Sequence, residues 1–154
     1  MRDELYCRPI RPEDTELVLN LNLRSHDKEE AKVLWDCEPK SAIAESLGTA
    51  LEAHVVIFKG EIVGACGVSR RAEGGGIPWF FVTDDFDEFN KVTFARLAKE
   101  IVQGWVDRYG FLTNVASPSP SMKRWLEWLG FTVEEWKAPK VGDFFRFYMK
   151  KESE

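Results

Sequence analysis

The stretch from residue 76 to residue 131 constrains the fold of this chain more than any other part of the sequence. It consists of an apolar run at 76–83, a long amphipathic segment, an apolar run at 111–118 and a shorter amphipathic segment ending in Gly130-Phe131. Both runs are rich in aromatic and β-branched residues, as buried strands are. Apolar residues of the long segment recur at steps of three and four, which places them on one helical stripe: Phe94, Leu97, Ala98, Ile101, Val102, Trp105 and Tyr109. The pattern predicts a βαβ unit with two parallel strands, and ligands usually bind where such strands end and the helix begins.

Further elements are predicted on both sides of this unit. A first strand at 4–10 precedes three helices between residues 12 and 52, the last of them at 41–53 with Leu51 on its apolar face. Trp35, in the second of these helices, should pack against the body of the protein. A hairpin of 54–58 and 62–68 follows, in which Gly64 and Gly67 indicate a bulge or a close backbone approach. Strands at 131–136 and 144–149 close the chain.

The ends of the long helix and of the chain are also predictable. Asp85 and Glu88 fit a capping box at the start of the long helix, and Gly110 fits its end. The length of 154 residues suits one domain, which we expect to span residues 1–150, with a frayed tail at 151–154.

Composition excludes several function classes. The net charge is −5 and no cluster of Lys and Arg occurs, which argues against nucleic-acid binding. Cys7, Cys37 and Cys66 form no CxxC pattern, and two histidines lack ligand spacing, so we expect no metal and a reducing, cytoplasmic-type environment. No apolar run approaches the ~20 residues of a membrane span, and the charged N-terminus is unlike a signal peptide.

Three local motifs, in this order of elements, carry a resemblance to a known superfamily. They are Ile10-Arg11-Pro12-Glu13-Asp14 at the first helix, Gly60-Glu61-Ile62-Val63-Gly64 at the hairpin, and Trp128-Leu129-Gly130-Phe131. The chain resembles the GNAT superfamily of acyl-CoA-dependent N-acetyltransferases over nearly its whole length. The resemblance implies an α/β fold: a mixed, mostly antiparallel sheet of six to seven strands, with a central parallel βαβ unit and helices on both faces.

A narrower resemblance concerns two segments. Trp79-Phe80-Phe81-Val82-Thr83-Asp84, and Met122-Lys123-Arg124-Trp125-Leu126 running into Leu129-Gly130, are similar to a family of small phage-encoded GNAT-like proteins. That family includes an internal virion protein of short-tailed phages. This resemblance implies phage structural or host proteins as partners, and the virion or the host cytoplasm as location.

The segment that corresponds to the coenzyme A-binding loop of GNAT enzymes has a different sequence in this chain. The family carries Arg/Gln-x-x-Gly-x-Gly/Ala there, because backbone N–H groups at a helix start cradle the pyrophosphate and glycines allow close approach. Residues 84–91 contain no glycine and four acids, Asp84, Asp85, Asp87 and Glu88, all of which precede Lys91. One possibility is that these acids simply cap the helix. The other is that Lys91, with or without Arg96, still contacts a phosphate.

The charge of these four acids also bears on the cofactor. They would repel a pyrophosphate at short range, which weakens the case for a bound cofactor. Acetyl-CoA or another acyl-CoA therefore remains a doubtful cofactor on the sequence alone.

The catalytic residues stay unassigned. Many GNAT members place a Tyr four positions before the Gly of the Gly-Phe pair as the general acid, and Leu126 stands there in this chain. Ser119 falls where an Asn or Ser often contacts the pantetheine arm, although a helix cap explains it equally well. No spacing singles out a general base among four acids: Glu61, Glu73, Asp84 and Asp85. Cys66 is expected in the core, and neither His26 nor His54 has an obvious triad partner.

The resemblance also implies a gap in the sheet. GNAT proteins splay the fourth and fifth strands apart, which would free backbone groups of Val82 and Thr83 to pair with an extended ligand. The cleft walls would be Trp79, Phe81, Trp125 and Trp128. An acidic rim with aromatic walls suits a peptide, a cationic small molecule or another chain.

Three functions remain open at this point. The favoured one is a phage-type GNAT-like protein with a degenerate acyl-CoA site, acting in virion assembly or host interference. The second is an active N-acyltransferase with an atypical phosphate-binding loop. The third is a module that binds a small ligand or a peptide.

Overall fold

The strands of this chain form one mixed sheet. The computed structural model describes residues 4–116, 119–138 and 142–152. Seven strands in these ranges are β1 (Leu5–Pro9), β2 (Ala50–Phe58), β3 (Glu61–Arg70), β4 (Gly76–Val82), β5 (Phe111–Ala116), β6 (Thr132–Ala138) and β7 (Gly142–Lys150). Their order in the sheet is β1-β2-β3-β4-β5-β7-β6, and β4–β5 is the parallel pair among antiparallel neighbours.

Helices cover both faces of this sheet. The described residues form α1 (Thr15–Leu19), α2 (Ser25–Trp35), α3 (Pro39–Gly48), α4 (Lys91–Tyr109) and α5 (Pro120–Leu129), with short 3-10 helices at Pro12–Asp14 and Asp84–Glu88. Apolar residues of α4 and α5 pack on one face, and those of α1 and α3 pack on the other. The predicted fold class is therefore confirmed.

Several predicted boundaries are wrong. The third helix ends at Gly48, and Leu51 lies in β2 with an exposed side chain. The long helix begins at Lys91 rather than at Asp85, because the acidic run forms a separate 3-10 helix. Trp35 is 50% exposed and does not pack against the body of the protein.

Other predicted features are present. Gly110 and Gly130 end α4 and α5 with φ of 81° and 110°, a backbone conformation that glycine adopts without strain. Ser119 caps α5, with Pro120 as its first residue. The three cysteines all lie in the described ranges and are free thiols.

Gly64 and Gly67 of β3 allow a close approach of β4. A Cβ at Gly64 would lie 2.7 Å from the carbonyl oxygen of Phe81. A Cβ at Gly67 would lie 2.3 Å from the Trp79 ring and 2.7 Å from the carbonyl oxygen of Glu52. The predicted close backbone approach is thus confirmed.

Asp14 joins β1 to the first helical turn. Its carboxylate accepts hydrogen bonds from Arg8 at 2.7 and 3.0 Å and from the backbone N–H of Arg11 at 2.8 Å. The Arg8 guanidinium, assisted by that N–H, lowers the pKa of Asp14 to about 2.

Among the described residues, no helix combines the length and apolar character that a membrane span requires.

Replacement of Gly67 by alanine should destabilise the protein. The new methyl group would overlap the Trp79 ring and a backbone oxygen, and such overpacking costs about 1–3 kcal/mol. The matched control is Gly48→Ala. A Cβ at this position would meet no atom within 4 Å apart from its chain neighbours and its own helix backbone, and alanine favours the helix. Urea denaturation measures both; equal free energies of unfolding for the two variants would contradict the close packing of β3 on β4.

The Asp14 carboxylate should make stability depend on acid pH. Its folded-state pKa of about 2 lies below the unfolded value of about 3.9, so its stabilisation is complete above pH ~4 and is lost as the pH falls towards 2. The difference in unfolding free energy between wild type and Asp14→Asn should therefore shrink over that interval. Glu13→Gln, an exposed change in the same turn, is the control. A difference that is constant from pH 6 to pH 2 would rule out the proposed linkage.

Candidate functional site

The sheet opens between β4 and β5. In the described residues these strands pair at a single position, Gly76 opposite Leu112, at the start of β4. Beyond it the strands diverge, and the side of β4 that faces β5 loses its neighbour. We call this gap the splay. It lies at the carboxyl ends of two parallel strands, where α/β proteins commonly bind ligands.

Three residues of β4 direct their backbone groups into the splay. Val82 lies opposite Gly64 of β3, while the N–H of the next residue, Thr83, donates to the Val63 carbonyl at 2.9 Å. Val82 therefore occupies a non-hydrogen-bonded position towards β3, and its own N–H and C=O point the other way. By the same alternation Phe80 and Pro78 also face the splay.

The upper end of the splay is closed by residues at the start of α2. The backbone N–H of Val82 donates to Asp27 Oδ2 at 2.9 Å, and its C=O accepts from the backbone N–H of Arg24 at 2.9 Å. Leu23 forms an antiparallel bridge with Thr83. We call this set of contacts, made by Leu23, Arg24 and Asp27, the clasp. The expectation that Val82 and Thr83 have free backbone groups is therefore wrong.

The lower end of the splay is closed by Asn114 of β5. Its Nδ2 donates to the Pro78 carbonyl at 2.7 Å, while its Oδ1 accepts from the Val115 N–H at 2.8 Å. Pro78 has no N–H to offer. In the described part of the chain, strand pairing gives the backbone of Phe80 no partner on this side. Counted over the residues that the structure describes, the open edge of β4 is thus one residue long.

Cations and aromatic rings surround the clasp. The Arg24 guanidinium lies 4.7 Å from the centre of the Phe86 ring and 5.7 Å from that of Phe80, and it contacts Asp27 at 3.2 Å. Lys91 Nζ lies 3.9 Å from the centre of the Phe86 ring and donates to the Phe86 carbonyl. Asp27 is 6% exposed, and its burial raises the pKa of this carboxyl above the usual value. Lys91, predicted as a phosphate ligand, therefore folds back onto its own loop.

At the start of α4, two of the backbone N–H groups that could hold a phosphate already have a partner within the chain. The Asn90 side-chain oxygen accepts from the N–H groups of Val92 at 3.0 Å and Thr93 at 3.1 Å. Earlier in the sequence, the Thr83 side chain caps the acidic 3-10 helix by accepting a hydrogen bond from the Asp85 N–H. This arrangement is a poor fit for the pyrophosphate of coenzyme A, since two of the α4 amides are capped and four acids precede them.

The start of α5 is capped from within in the same way. Ser119 Oγ accepts from the Met122 N–H at 3.0 Å, which accounts for this residue without a ligand. Leu126 is buried in the core beneath the helix and offers no proton donor. Whether Ser119, Lys91, Val82 or Thr83 contacts a cofactor stays a prediction.

The four predicted cleft walls lie on two faces of the sheet. Trp79 and Phe81 pack with the α1–α3 side, where Trp79 Nε1 donates to Ser69 Oγ at 3.0 Å. Trp125 packs on the opposite side, stacked on Phe94 and Trp128 with ring centres 5.4 and 6.2 Å away. Trp128 is exposed, with the Lys99 ammonium 4.5 Å from its ring centre. The four side chains therefore lie on two faces of the sheet and do not surround one cleft.

The other candidate groups are dispersed. Glu61 and Asp84 are exposed, and Glu73 pairs with Arg71 at 2.6 Å in the loop before β4. Burial raises the pKa of the Cys66 thiol and lowers that of the His54 imidazole, so burial favours the uncharged form of both groups. His26 lies 2.9 Å from Glu30. Among the residues that the structure describes, no group of His, Cys, Asp and Glu could hold a metal ion.

Sequence reasoning missed the residues that close the splay. Asn90 before Lys91-Val92-Thr93 has the form of a helix cap and could have been found. The alternation of β4 places Phe80 and Val82 on one side of the strand, and this too is visible in the sequence. Asp27 gives no such signal, because its partner Val82 is 55 positions away.

The architecture is similar to that of GNAT-family acetyltransferases of known structure. The structure is similar to an acetyltransferase of the GNAT family from Bacillus anthracis, with a TM-score of 0.65, 15% identity, and coverage of 96% of this chain and 95% of that one. It is similar to ribosomal-protein-S5-alanine acetyltransferase from Vibrio fischeri, with a TM-score of 0.66, 15% identity, and coverage of 97% and 94%.

A third solved structure contains ligands. Spermidine N-acetyltransferase from Vibrio cholerae, in complex with CoA and spermine, matches with a TM-score of 0.61, 13% identity, and coverage of 96% of this chain and 95% of that one. At such identities the likeness establishes the fold alone. No family model matches the sequence. No curated protein matches it either.

Amide hydrogen exchange should distinguish the residues that face the splay. The Val82 N–H donates to a buried carboxylate, whereas the Phe80 N–H faces the gap, so Phe80 should exchange at least about tenfold faster. The Phe81 amide, which faces β3, is the internal control for strand opening. NMR exchange measures all three; equal protection of Phe80 and Val82 would show that the splay is closed.

Proposed function

We propose that this chain is a GNAT-fold protein with a degenerate acyl-CoA site, which acts by binding rather than by acyl transfer. The observation that carries the proposal is the self-satisfied start of α4. Asn90 caps two amides that would face a pyrophosphate, and four acids lie in the six positions before it.

The energetic argument concerns donors and charge. A phosphate at a helix start is held by free N–H groups and by the positive end of the helix dipole. Here a ligand would have to displace the Asn90 cap, worth about 1 kcal/mol, and approach like charges as well. Lys91, which could offset that repulsion, is held against Phe86.

The splay supports the same conclusion. Two of the three β4 residues that face it already have hydrogen-bond partners within the chain, Val82 through the clasp and Pro78 through Asn114. Leu126 takes the place of the usual tyrosine acid. Together these substitutions remove the phosphate grip, most of the strand edge and the proton donor.

An active N-acyltransferase is the second candidate, and one observation favours it. The backbone of Phe80 still faces the splay, at the centre of a fold that holds CoA and spermine in the Vibrio cholerae enzyme. Such an enzyme would need an altered phosphate grip.

A separate part of the proposal is that the chain is related to phage-encoded proteins and acts in virion assembly or host interference. It rests on the segments 79–84 and 122–130. Genes for capsid or tail proteins beside this one would support the role, and a chromosomal setting without them would count against it.

Calorimetry with acetyl-CoA tests the degenerate site. The wild type should show no binding in the micromolar range, and the triple variant Asp84→Asn, Asp85→Asn, Asp87→Asn should bind more tightly by on the order of tenfold, because three charges that repel the phosphates are gone.

The control removes three exposed acids on α3 and around α1. Glu13→Gln, Glu16→Gln, Glu45→Gln makes the same change in net charge away from the acidic 3-10 helix and should leave affinity unchanged. Micromolar binding of acetyl-CoA by the wild type would overturn the proposal. An equal gain in both triple variants would assign the effect to net charge alone.

A further inference from the structure

Three strands of the sheet, β5, β7 and β6, have one face that lies outside the described helix clusters. The apolar cluster beneath α1 and α3 draws its sheet residues from β1–β4, and in the described residues none comes from these three strands. Along β7, Phe147 and Met149 are buried beneath α4 and α5, whereas the alternate residues Phe144, Arg146 and Tyr148 are half-buried. We call the side of the three strands that carries these alternate residues the open face.

The open face is lined with aromatic rings. Phe111 and Tyr148 have ring centres 6.4 Å apart, and Trp136 and Phe144 stack with the same separation. Trp136 is 47% exposed. Because an apolar surface of this kind is costly in water, it marks a place where another molecule docks.

Cations accompany these rings. The Arg71 guanidinium lies 5.2 Å from the centre of the Phe111 ring, and that of Arg146 lies 5.6 Å from the centre of the Tyr148 ring. Lys150 is opposite Phe111 in the strand register and therefore shares its face. The open face thus presents three positive charges in a protein whose net charge is −5.

Two acids offset these cations only weakly. Glu134 lies 3.5 Å from Arg146, and the two side chains are 41% and 40% exposed. Glu73 lies 2.6 Å from Arg71, with its own side chain 78% exposed. Such exposed pairs are worth about 0–1 kcal/mol, so carboxylates of a partner can replace them.

The chain carries a segment of complementary charge. The acidic 3-10 helix, Asp84–Glu88, has four acids, three of them exposed. Two nearby cations, Arg24 and Lys91, leave an excess of two negative charges. This helix leads into α4, which packs on the side of the sheet opposite the open face. The two surfaces of one molecule therefore point in different directions.

We propose that the open face binds the acidic 3-10 helix of a second copy of this chain. Because the two surfaces differ, the contact is heterologous: each copy offers its acidic helix to one neighbour and receives that of another. Assembly therefore continues beyond a dimer as the protein concentration rises. The inference goes beyond the proposed function and does not depend on the state of the acyl-CoA site.

The size of the open face limits the strength of this contact. Three strands with seven residues each cover about 10 Å by 20 Å. This is well below the ~800 Å² that each partner buries in a stable complex. We therefore expect association weaker than micromolar, which high salt abolishes because the charges involved are exposed.

A charge exchange in the full chain tests the pairing of the two surfaces. The face variant is Arg71→Glu with Arg146→Glu, and the helix variant is Asp84→Lys with Asp87→Lys. Each variant alone places like charges on both surfaces and should stay monomeric in sedimentation velocity at millimolar concentration. An equal mixture restores opposite charges at every contact and should associate at least about tenfold more strongly than either variant alone.

Two further variants serve as controls. Glu16→Lys with Glu45→Lys reverses two exposed charges on α1 and α3, and its association should equal that of the wild type. If the face variant does not fold, Arg71→Glu with Lys150→Glu replaces it and leaves the pair of Arg146 and Glu134 intact.

The outcomes decide the inference. A wild type that is monomeric at millimolar concentration, or a mixture that associates no more than its components, overturns it. Association that the face variant loses and the helix variant keeps also overturns it, because the open face would then bind something other than the acidic helix. Calorimetry with acetyl-CoA tests the degenerate site separately, whichever of these results is found.

Discussion

A strand that separates from its neighbour within a sheet must find other partners for its backbone, because a buried N–H or C=O without a hydrogen bond costs about 1–3 kcal/mol. β4 meets this constraint after Gly76, where it leaves β5. Asn114 satisfies the carbonyl of Pro78, and the clasp satisfies both groups of Val82. The position of α2 follows from the same requirement, since its first turn is held at the end of β4.

The same solution recurs at both helix starts that border the splay. Asn90 caps α4 and Ser119 caps α5, each with a side-chain oxygen that accepts from backbone N–H groups. In a protein that binds an anion at these positions, the ligand would take over part of this task. The chain therefore has a GNAT-like architecture in which its own side chains bond to backbone N–H groups at both helix starts.

The fold was predictable because its signals are local and repetitive. The stripe of α4, the glycines at 110 and 130 and the hairpin before β4 each depend on residues close in sequence. The start of α4 was misplaced because an acidic run fits a helix cap as well as it fits a 3-10 helix. The site was predictable in part: the acidic run after β4 and Leu126 in α5 are visible in the sequence, but the contact between Asp27 and Val82 joins residues that no periodicity relates. Trp79 and Trp125 were assigned to one cleft because strand alternation does not tell which face α5 covers.

The Asn90 cap ties the start of α4 to the folding of the chain itself. Its side-chain oxygen accepts from the N–H groups of Val92 and Thr93, so this helix start is stabilised without any bound anion. An anion that competes for these two N–H groups must first displace the cap, which is worth about 1 kcal/mol. The cap therefore sets a threshold that any anion binding at this end of the sheet has to exceed.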